Sequence, residues 1–359
     1  MQRVHQLVAG YSKGDAISNE ARKIRDLFRD RGQGGDIFCE LSRTLPELRK
    51  DARDVNTAAS VIHPEDLVIL HLSIGSEVNE IFPALPGIKT IRYHNVTPAH
   101  YFKALNDHIA HQLERGRQQL RTLAGTAVLN MADSEYNAQE LREAGYDNVQ
   151  VSPLLLELRR LTDQPNAEIL ETFSDGMLNI LFVGRCAPNK RIEDLLHAFY
   201  YVQKYIEPRS RLLHVGSFAG TEQYLAMLKA IARDLDLKNV NFVGSVPEDH
   251  LCAYYKVSDV FLCMSEHEGF GIPLLEAMQA EIPVLAYASA AVPETMGGAG
   301  LVFHEKLFDE LAEWIVRAGR DPKLRNALLQ TQHQRIQAYE TSNPDARLLD
   351  LLAPYLTTL

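Results

Sequence analysis

The stretch Glu268-Gly-Phe-Gly-Ile-Pro-Leu-Leu-Glu276 decides the fold, because it joins a predicted strand to a predicted helix through two glycines. Upstream, Asp259–Met264 is apolar after its first residue, which predicts a short buried strand. Downstream, Leu274–Met278 favours a helix. Glu268 is therefore expected in the turn at the carboxyl end of the strand, and Glu276 about one to two turns into the helix. In open parallel sheets, ligands bind at this edge.

The composition of this segment suits a polar ligand. Glycines allow backbone amides to approach a ligand closely, and the start of a helix favours negative charge. Glu268 and Glu276 could then hold hydroxyl groups at two ends of one molecule. Taken alone, the segment is equally compatible with an ordinary strand–turn–helix whose glutamates are solvated, so the rest of the chain has to decide.

The same alternation of strands and helices runs through both halves of the chain, and it is typical of parallel sheets with helical crossovers. Strands are predicted at Val4–Ala9, Asp66–Leu72, Ile88–Tyr93, Ala127–Met131, Leu178–Val183, Arg211–Val215, Val240–Val243, Val257–Met264, Pro283–Tyr287 and Leu301–Phe303. Helices are predicted near Ser18–Arg31, Ala99–Leu123, Arg191–Tyr205, Glu222–Leu235, Pro247–Tyr255, Pro273–Ala280 and Asp309–Gly319. We expect an α/β protein with two Rossmann-like, doubly wound domains that face each other across a cleft.

The domain boundaries follow from where this pattern weakens. Residues 157–177 are polar and contain Pro165, so they are predicted to connect the domains. The N-terminal domain is expected over 1–160 and the C-terminal domain over 175–340. The tail, 341–359, is predicted to pack back on the N-terminal domain.

Length and composition limit the classes of protein to which the chain can belong. The chain has 359 residues, 46% of them hydrophobic, which suits two soluble domains. Its formal net charge of −10 argues against general binding of nucleic acid. The four cysteines have no paired spacing, so neither a disulfide framework nor a zinc site is indicated, and a cytoplasmic setting is expected.

Basic residues cluster locally in the N-terminal half. The clusters are Arg22, Lys23, Arg25, Arg29 and Arg31, and then Arg115, Arg117 and Arg121. On helices they could meet anionic lipid head groups at the inner face of a membrane. Because acidic residues are interspersed, a solvated helix face is the favoured interpretation, and peripheral membrane contact stays open.

A second polar loop follows the first strand of the C-terminal half. Gly184-Arg185 to Lys190 places two cations between a strand and a helix, a pairing suited to a pyrophosphate, although either cation could instead pair with a nearby carboxylate. Neither domain has the Gly-x-Gly-x-x-Gly or Walker pattern after its first strand, so a dinucleotide cofactor is not expected. The Asp234-Leu-Asp236 pair ends a predicted helix and does not indicate a metal site.

Three motifs occur together and in order: Phe182-Val-Gly-Arg185 with Pro188-Asn-Lys190, the segment Ser265–Met278, and Pro283-Val-Leu-Ala with Pro293-Glu-Thr. This combination resembles glycosyltransferase family 4, the retaining sugar transferases of GT-B fold that carry a Glu-x7-Glu motif. The likeness covers nearly all of the C-terminal half. The N-terminal half is similar more loosely, through Tyr93-His94-Asn95 and Ala132-Asp133-Ser134-Glu135-Tyr136.

The resemblance implies roles for individual residues. Arg185 and Lys190 would bind the diphosphate of a nucleotide-sugar donor, and Glu276 would accept hydrogen bonds from its ribose hydroxyls. Glu268 would contact the transferred sugar, with His94 near the same sugar as the second catalytic residue. The remaining donor-binding positions are Phe270, Gly271 and Ile272 through their amides, Val246 beside the nucleobase, and Gly14 near a phosphate.

The sequence departs from the family pattern in two turns. Gly14-Asp15 stands where the family usually has Gly-Gly, which leaves the phosphate contact of the second position in doubt, and Glu281 replaces a common glycine. No carboxylate of the N-terminal half is an obvious nucleophile, so front-face attack, in which the leaving diphosphate receives the acceptor's proton, is expected over double displacement.

The function expected from the resemblance is transfer of a hexose from GDP-mannose or a UDP-sugar to a glycan or lipid-linked acceptor in polysaccharide biosynthesis. No metal and no cofactor besides the donor substrate are expected. Two alternatives remain: a sugar-nucleotide epimerase on the same fold, and a non-catalytic subunit that binds a sugar nucleotide.

Overall fold

The computed structural model describes residues 2–12, 14–158 and 164–357, and the chain divides into two compact units. Unit 1 comprises residues 1–100, 108–156 and 342–359, and unit 2 comprises residues 101–107 and 157–341. Each unit contains one parallel sheet with helices in its crossovers. The predicted α/β class with two doubly wound sheets is confirmed.

Unit 1 is built on a seven-stranded sheet in the order β3-β2-β1-β4-β5-β6-β7, with every neighbouring pair parallel. Its strands are β1 (Val4–Val8), β2 (Ile37–Cys39), β3 (Arg53–Asp54), β4 (Leu67–Leu72), β5 (Ile88–Tyr93), β6 (Leu129–Ala132) and β7 (Val149–Val151). Its helices are α1 (Ala16–Arg29), α2 (Ala58–Val61), α3 (Glu77–Ile81), α4 (Asp107–Thr122), α5 (Glu135–Glu143) and α14 (Pro344–Leu352).

Helix α1 shows why these segments fold as they do. Asp15 caps its start by accepting a hydrogen bond from the Ser18 amide at 2.8 Å. Ala21, Ile24 and Phe28 follow at helical spacing and are buried against the sheet. The basic cluster of this helix is largely paired, since Lys23, Arg25 and Arg29 form ion pairs with Asp345, Asp51 and Asp26, respectively.

Unit 2 is built on a six-stranded parallel sheet in the order β10-β9-β8-β11-β12-β13. Its strands are β8 (Leu178–Val183), β9 (Ser210–Val215), β10 (Val240–Gly244), β11 (Val260–Cys263), β12 (Val284–Tyr287) and β13 (Leu301–Phe303). Its helices are α6 (Ala167–Phe173), α7 (Ile192–Tyr201), α8 (Glu222–Asp234), α9 (Glu248–Lys256), α10 (Ile272–Gln279), α11 (Val292–Met296), α12 (Phe308–Arg320) and α13 (Pro322–Thr341).

The C-terminal segment returns to the first sheet. Helix α13 ends at Thr341, and Asn343 caps α14 by accepting a hydrogen bond from the Ala346 amide. Pro344 is the first residue of α14, a position where a missing N–H costs nothing. Leu348 and Leu352 are fully buried in the hydrophobic core that β1, β4 and β6 share with α1.

Several boundaries differ from the sequence prediction. Residues 157–177, predicted as a connection, contain α6, which Asn166 caps and which packs against α9 of unit 2. The predicted boundary at residue 160 lies outside the described residues. The helix predicted from Ala99 begins only at Asp107. Residues 101–107 belong to unit 2, where the Asn106 amide group donates to the Gly220 carbonyl at 2.8 Å.

The short strands β2, β3 and β7 are absent from the prediction, and each has only two or three residues. The helix predicted over Arg191–Tyr205 changes to a π-helical turn at Val202–Ile206. Among the described residues, none of the helices has both the length and the apolar character that a membrane crossing requires.

Candidate functional site

The sheet of unit 2 reverses its strand order between β8 and β11, which lie side by side. The chain leaves the carboxyl end of β8 through residues 184–191 and that of β11 through residues 264–271. Helices that follow these two strands pass to opposite faces of a doubly wound sheet, so a crevice opens between the loops. The two loops that the sequence singles out therefore flank the topological switch point of this sheet.

Backbone contacts hold the loop after β8 against its neighbour. The amide of Gly184 donates to the Val215 carbonyl at 2.9 Å, and the amide of Cys186 donates to the Ser217 carbonyl at 2.8 Å. A Cβ at Gly216, whose φ is +155°, would stand 1.9 Å from the Gly184 oxygen, so only glycine fits. This close approach carries Arg185 to the mouth of the crevice.

Arg185 is exposed, and its guanidinium donates one hydrogen bond, 3.0 Å long, to the Ala219 carbonyl. Within the described ranges, no carboxylate oxygen lies within 4.0 Å of the Arg185 nitrogens. Most of its donors are consequently available to an anion. An arginine fork of this kind suits a phosphate group.

Lys190 and Glu268 form an ion pair across the two loops, with 2.7 Å between Nζ and Oε2. Their side chains are 18% and 14% exposed, respectively. Two further bonds tie the loops together: the Asn189 side chain donates to the His267 carbonyl, and the Glu266 amide donates to the Asn189 carbonyl. The structure thus brings these two predicted site residues together, with the carboxylate pairing that the sequence left open for Lys190.

Helix α10 places Glu276 beside the same crevice. Gly271 begins the helix with φ of +92°, a conformation that glycine adopts without strain. Glu276 is 6% exposed, and its Oε2 accepts a hydrogen bond of 2.8 Å from the Tyr255 hydroxyl. That bond fixes the carboxylate's orientation. Phe270 and Ile272 lie on either side of Gly271 at the amino end of α10.

The other predicted positions lie elsewhere. Val246 is half-buried in the loop after β10, on the far side of β9 from the crevice loops. Gly14 and His94 belong to unit 1, where Gly14 is exposed with φ of +72° directly before the cap of α1. Asp236, considered above for a metal, pairs with Lys204 and Lys238 at the end of α8.

His94 follows β5 and lies in a chain of side-chain hydrogen bonds that crosses four adjacent strands. Its Nδ1 is 2.8 Å from Asp133 Oδ2, just after β6, and its Nε2 is 2.8 Å from Nδ1 of His71 on β4. Nε2 of His71 is 2.9 Å from Oε1 of Gln6 on β1. Because β1, β4, β5 and β6 are neighbours in the sheet, these side chains meet at its carboxyl edge.

A buried ion pair lies beside this series of hydrogen bonds. Arg92 is fully buried, and its guanidinium donates to both oxygens of Glu20 on α1, at 2.8 and 2.5 Å. Further donor bonds reach the Ser152 hydroxyl and the Pro153 carbonyl, both at 3.0 Å. Burial opposes ionisation of Glu20, but the guanidinium outweighs it and lowers the pKa of that carboxyl to about 2.

Three side chains of this cluster could in principle hold a metal ion: Glu20, His71 and His94. Each offers one ligand atom, and these atoms lie within 4.8 Å of one another. Arg92 occupies both oxygens of Glu20, however, and the two histidines are hydrogen-bonded to each other. The donor set therefore fits a proton-sharing network better than a cation, which the adjacent guanidinium would repel.

Sequence reasoning missed Glu20, His71 and Asp133 as members of a site. A signal was present, since His71 interrupts an otherwise apolar strand and Arg92 lies near the end of the next one, and a polar group in a buried strand needs a partner. The partners themselves depend on strand order, which residue spacing does not reveal.

Solved structures show the class that this architecture defines. Sucrose-phosphate synthase from Thermosynechococcus elongatus superposes with a TM-score of 0.76 at 19% identity, over 99% of each chain. Anabaena HepE in complex with UDP-glucose superposes with a TM-score of 0.75 at 16% identity, over 99% of this chain and 100% of the other. The fold is GT-B, with one parallel Rossmann-like sheet in each of two units.

The family comparison is more specific. Residues 171–335, all within unit 2, match the family described as Glycosyl transferases group 1. The chain is 30% identical over 145 residues to the O-antigen chain mannosyltransferase B of Escherichia coli, a match that covers 40% of this chain and 38% of that protein.

A second relative extends the match to 231 residues at 27% identity. It is the GDP-mannose-dependent monoacylated alpha-(1-6)-phosphatidylinositol monomannoside mannosyltransferase of Corynebacterium glutamicum, and the match covers 60% of this chain and 59% of that protein. The matched segments thus cover 38% of the first relative and 59% of the second.

Proposed function

We propose that the protein is a retaining glycosyltransferase that moves a hexose from a nucleotide-diphosphate donor to a glycan or lipid-linked acceptor. The observation that carries this proposal is the grouping of Arg185, the Lys190–Glu268 ion pair and the oriented Glu276 carboxylate at the switch point of unit 2. Cations for a diphosphate and carboxylates for hydroxyl groups are the recognition elements that a sugar nucleotide needs.

Each group has a defined task in this proposal. Arg185 and Lys190 stabilise the negative charge that develops on the diphosphate as the glycosidic bond breaks, a contribution that a divalent metal makes in other transferases. Glu276, held by Tyr255, accepts hydrogen bonds from the ribose hydroxyls. Glu268 contacts the transferred sugar, and the amides of residues 270–272 contribute at the amino end of α10.

The proposed roles also bear on stereochemistry. Lys190 is assigned to the diphosphate and Glu268 to the transferred sugar, and no carboxylate of the N-terminal half is an obvious nucleophile for a double displacement. Retention is therefore proposed to proceed by front-face attack, with the leaving diphosphate accepting the acceptor's proton. The roles of Val246 at the base, Gly14 at a phosphate and His94 near the sugar remain predictions from the family resemblance.

GDP-mannose is the proposed donor, because relatives of this chain are named as mannosyltransferases, one of them GDP-mannose-dependent. The test is a thermal-shift comparison of GDP-mannose with UDP-glucose, followed by incubation of the bound, labelled donor with glycan acceptors. A ligand at about 100 times its dissociation constant adds about 2.7 kcal/mol of stability, which gives a clear shift.

A matched pair of variants locates the binding. Glu276→Gln should weaken donor binding by about 10- to 100-fold, because a charged acceptor of two hydroxyl groups is lost. Glu313→Gln, an exposed position on α12, should bind as the parent does. Donor binding without transfer to any acceptor would favour the non-catalytic subunit, and conversion of the donor to an epimer would favour the epimerase.

A further inference from the structure

Five ionisable side chains share one buried cluster at the carboxyl edge of the unit 1 sheet. Facing His94 are Glu20 from α1, His71 from β4, Arg92 from β5 and Asp133 after β6. None of these side chains is more than 4% exposed. An uncompensated charge in such surroundings is strongly unfavourable, so the cluster has to be close to neutral.

The charges of this cluster cancel only if it holds one additional proton. Glu20 and Asp133 carry two negative charges, and Arg92 supplies one positive charge, so neutrality requires one additional proton on the remaining groups. Arg92 also lies 3.7 Å from Asp133 Oδ1, an oxygen that no hydrogen-bond donor reaches in the described part of the chain. Burial raises the pKa of the Asp133 carboxyl above its ordinary value, whereas the adjacent His94 and Arg92 act in the opposite direction and favour the carboxylate. With Asp133 as the carboxylate, the additional proton lies on the histidines.

The hydrogen-bond directions decide which histidine holds it. The Gln6 amide nitrogen donates to the Ala21 carbonyl at 2.8 Å, so Oε1 of Gln6 must accept from Nε2–H of His71. A neutral His71 then offers Nδ1 as an acceptor, and His94 has to donate through Nε2. With Asp133 accepting at Nδ1, both ring nitrogens of His94 carry protons.

The electrostatic surroundings agree with this arrangement. Burial alone would lower the pKa of His94, but the Asp133 carboxylate outweighs it and raises the pKa above its ordinary value. Burial and the adjacent His94 lower the pKa of His71 well below its ordinary value. The two stacked rings, whose centroids are 5.1 Å apart, therefore hold one positive charge between them, and it lies on His94.

We propose that His71 and Asp133 are positioning residues that keep His94 as a doubly protonated imidazolium, so that His94 acts in sugar transfer as a fixed positive charge and not as a proton acceptor. Both ring nitrogens are engaged within unit 1, which leaves no lone pair to take a proton from an acceptor hydroxyl. The catalytic part of this inference rests on the proposed function, whereas the charge state does not.

The charge state can be measured without any substrate. Two-bond proton–nitrogen spectra of the full chain labelled with ¹⁵N-histidine should show both ring nitrogens of His94 protonated at about pH 7, and His71 protonated only at Nε2. His94→Gln identifies the His94 signals. His214, whose pKa burial lowers to about 4, is an internal reference for a neutral ring. An unprotonated ring nitrogen on His94 at neutral pH in the parent protein would overturn the proposal.

The positioning role is tested by pH dependence. Asp133→Asn should lower the pKa of His94 by at least about one unit and move the alkaline fall in kcat to lower pH, with KM for the donor little changed. Asp66→Asn, which alters a buried aspartate 3.4 Å from His5 in the same sheet, should leave that profile unchanged. A rate that rises as His94 deprotonates, or an unmoved profile in Asp133→Asn, would contradict the role.

The two inferences fail in different ways. Absence of transfer with every donor would remove the proposed function, while the nitrogen spectra would still decide whether His94 is an imidazolium. Active transfer together with a neutral His94 ring would leave the proposed function standing and remove the fixed charge.

Discussion

Replacement of Arg92 by methionine is expected to lower the free energy of unfolding by about 3–5 kcal/mol. Arg92 is fully buried, and its loss would leave the Glu20 carboxylate without its bidentate partner in the interior of unit 1. The Ser152 hydroxyl and the Pro153 carbonyl would lose donors as well. Urea unfolding followed by circular dichroism measures the change, with the transition of unit 1 resolved from that of unit 2.

Two further variants separate the buried charge from simple loss of contacts. Glu20→Met combined with Arg92→Met should be more stable than Arg92→Met alone, because no unpaired carboxylate remains. Arg142→Met, which breaks an exposed pair with Glu135 on α5, should cost less than about 1 kcal/mol. Equal costs for Arg92→Met and Arg142→Met would show that the buried pair has no special weight.

Lys190→Ala is expected to reduce kcat by about 10²- to 10³-fold, with a much smaller effect on the affinity for the donor. In the proposed reaction, the Lys190 ammonium acts mainly on charge that appears only as the diphosphate departs. Donor binding keeps Arg185, which also contacts the diphosphate, and Glu276, which contacts the ribose. Steady-state kinetics with the donor identified by thermal shift, together with its dissociation constant, measure both quantities.

Lys238→Ala is the matched control for this prediction. Lys238 pairs with Asp236 after α8, is exposed, and lies outside the crevice loops. Its removal should leave kcat and donor affinity unchanged. Should Lys190→Ala instead weaken binding and turnover equally, the lysine would hold the donor's ground state and would not favour the transition state.

Much of the donor-side architecture was predictable from the chain itself. The apolar run before Glu268 and the glycines after it predict a strand, a turn and a helix, and the structure has β11, the crevice loop and α10 in those places. Local periodicity suffices there, because each element is long enough to show its own pattern. Strands of two or three residues, such as Arg53–Asp54, show no period and were missed.

The His94 network could not be predicted in the same way. Gln6, His71 and Asp133 are far apart in sequence and meet only because β4 lies beside β1 and β5 lies between β4 and β6. Spacing along the chain carries no information about that order. The Lys190–Glu268 pair is an intermediate case: both residues were assigned to one site, but their direct contact depends on how the two loops fold against each other.

The contact between Lys190 and Glu268 has a consequence for selectivity. Without a ligand, the Lys190 ammonium and the Glu268 carboxylate neutralise each other. A simple anion such as inorganic phosphate would gain little by binding Lys190, because its binding would leave Glu268 unpaired. A molecule that brings a diphosphate and sugar hydroxyls together compensates both partners at once. The pair would therefore favour ligands that carry both a diphosphate and sugar hydroxyls over abundant cellular phosphates that carry only one of these groups.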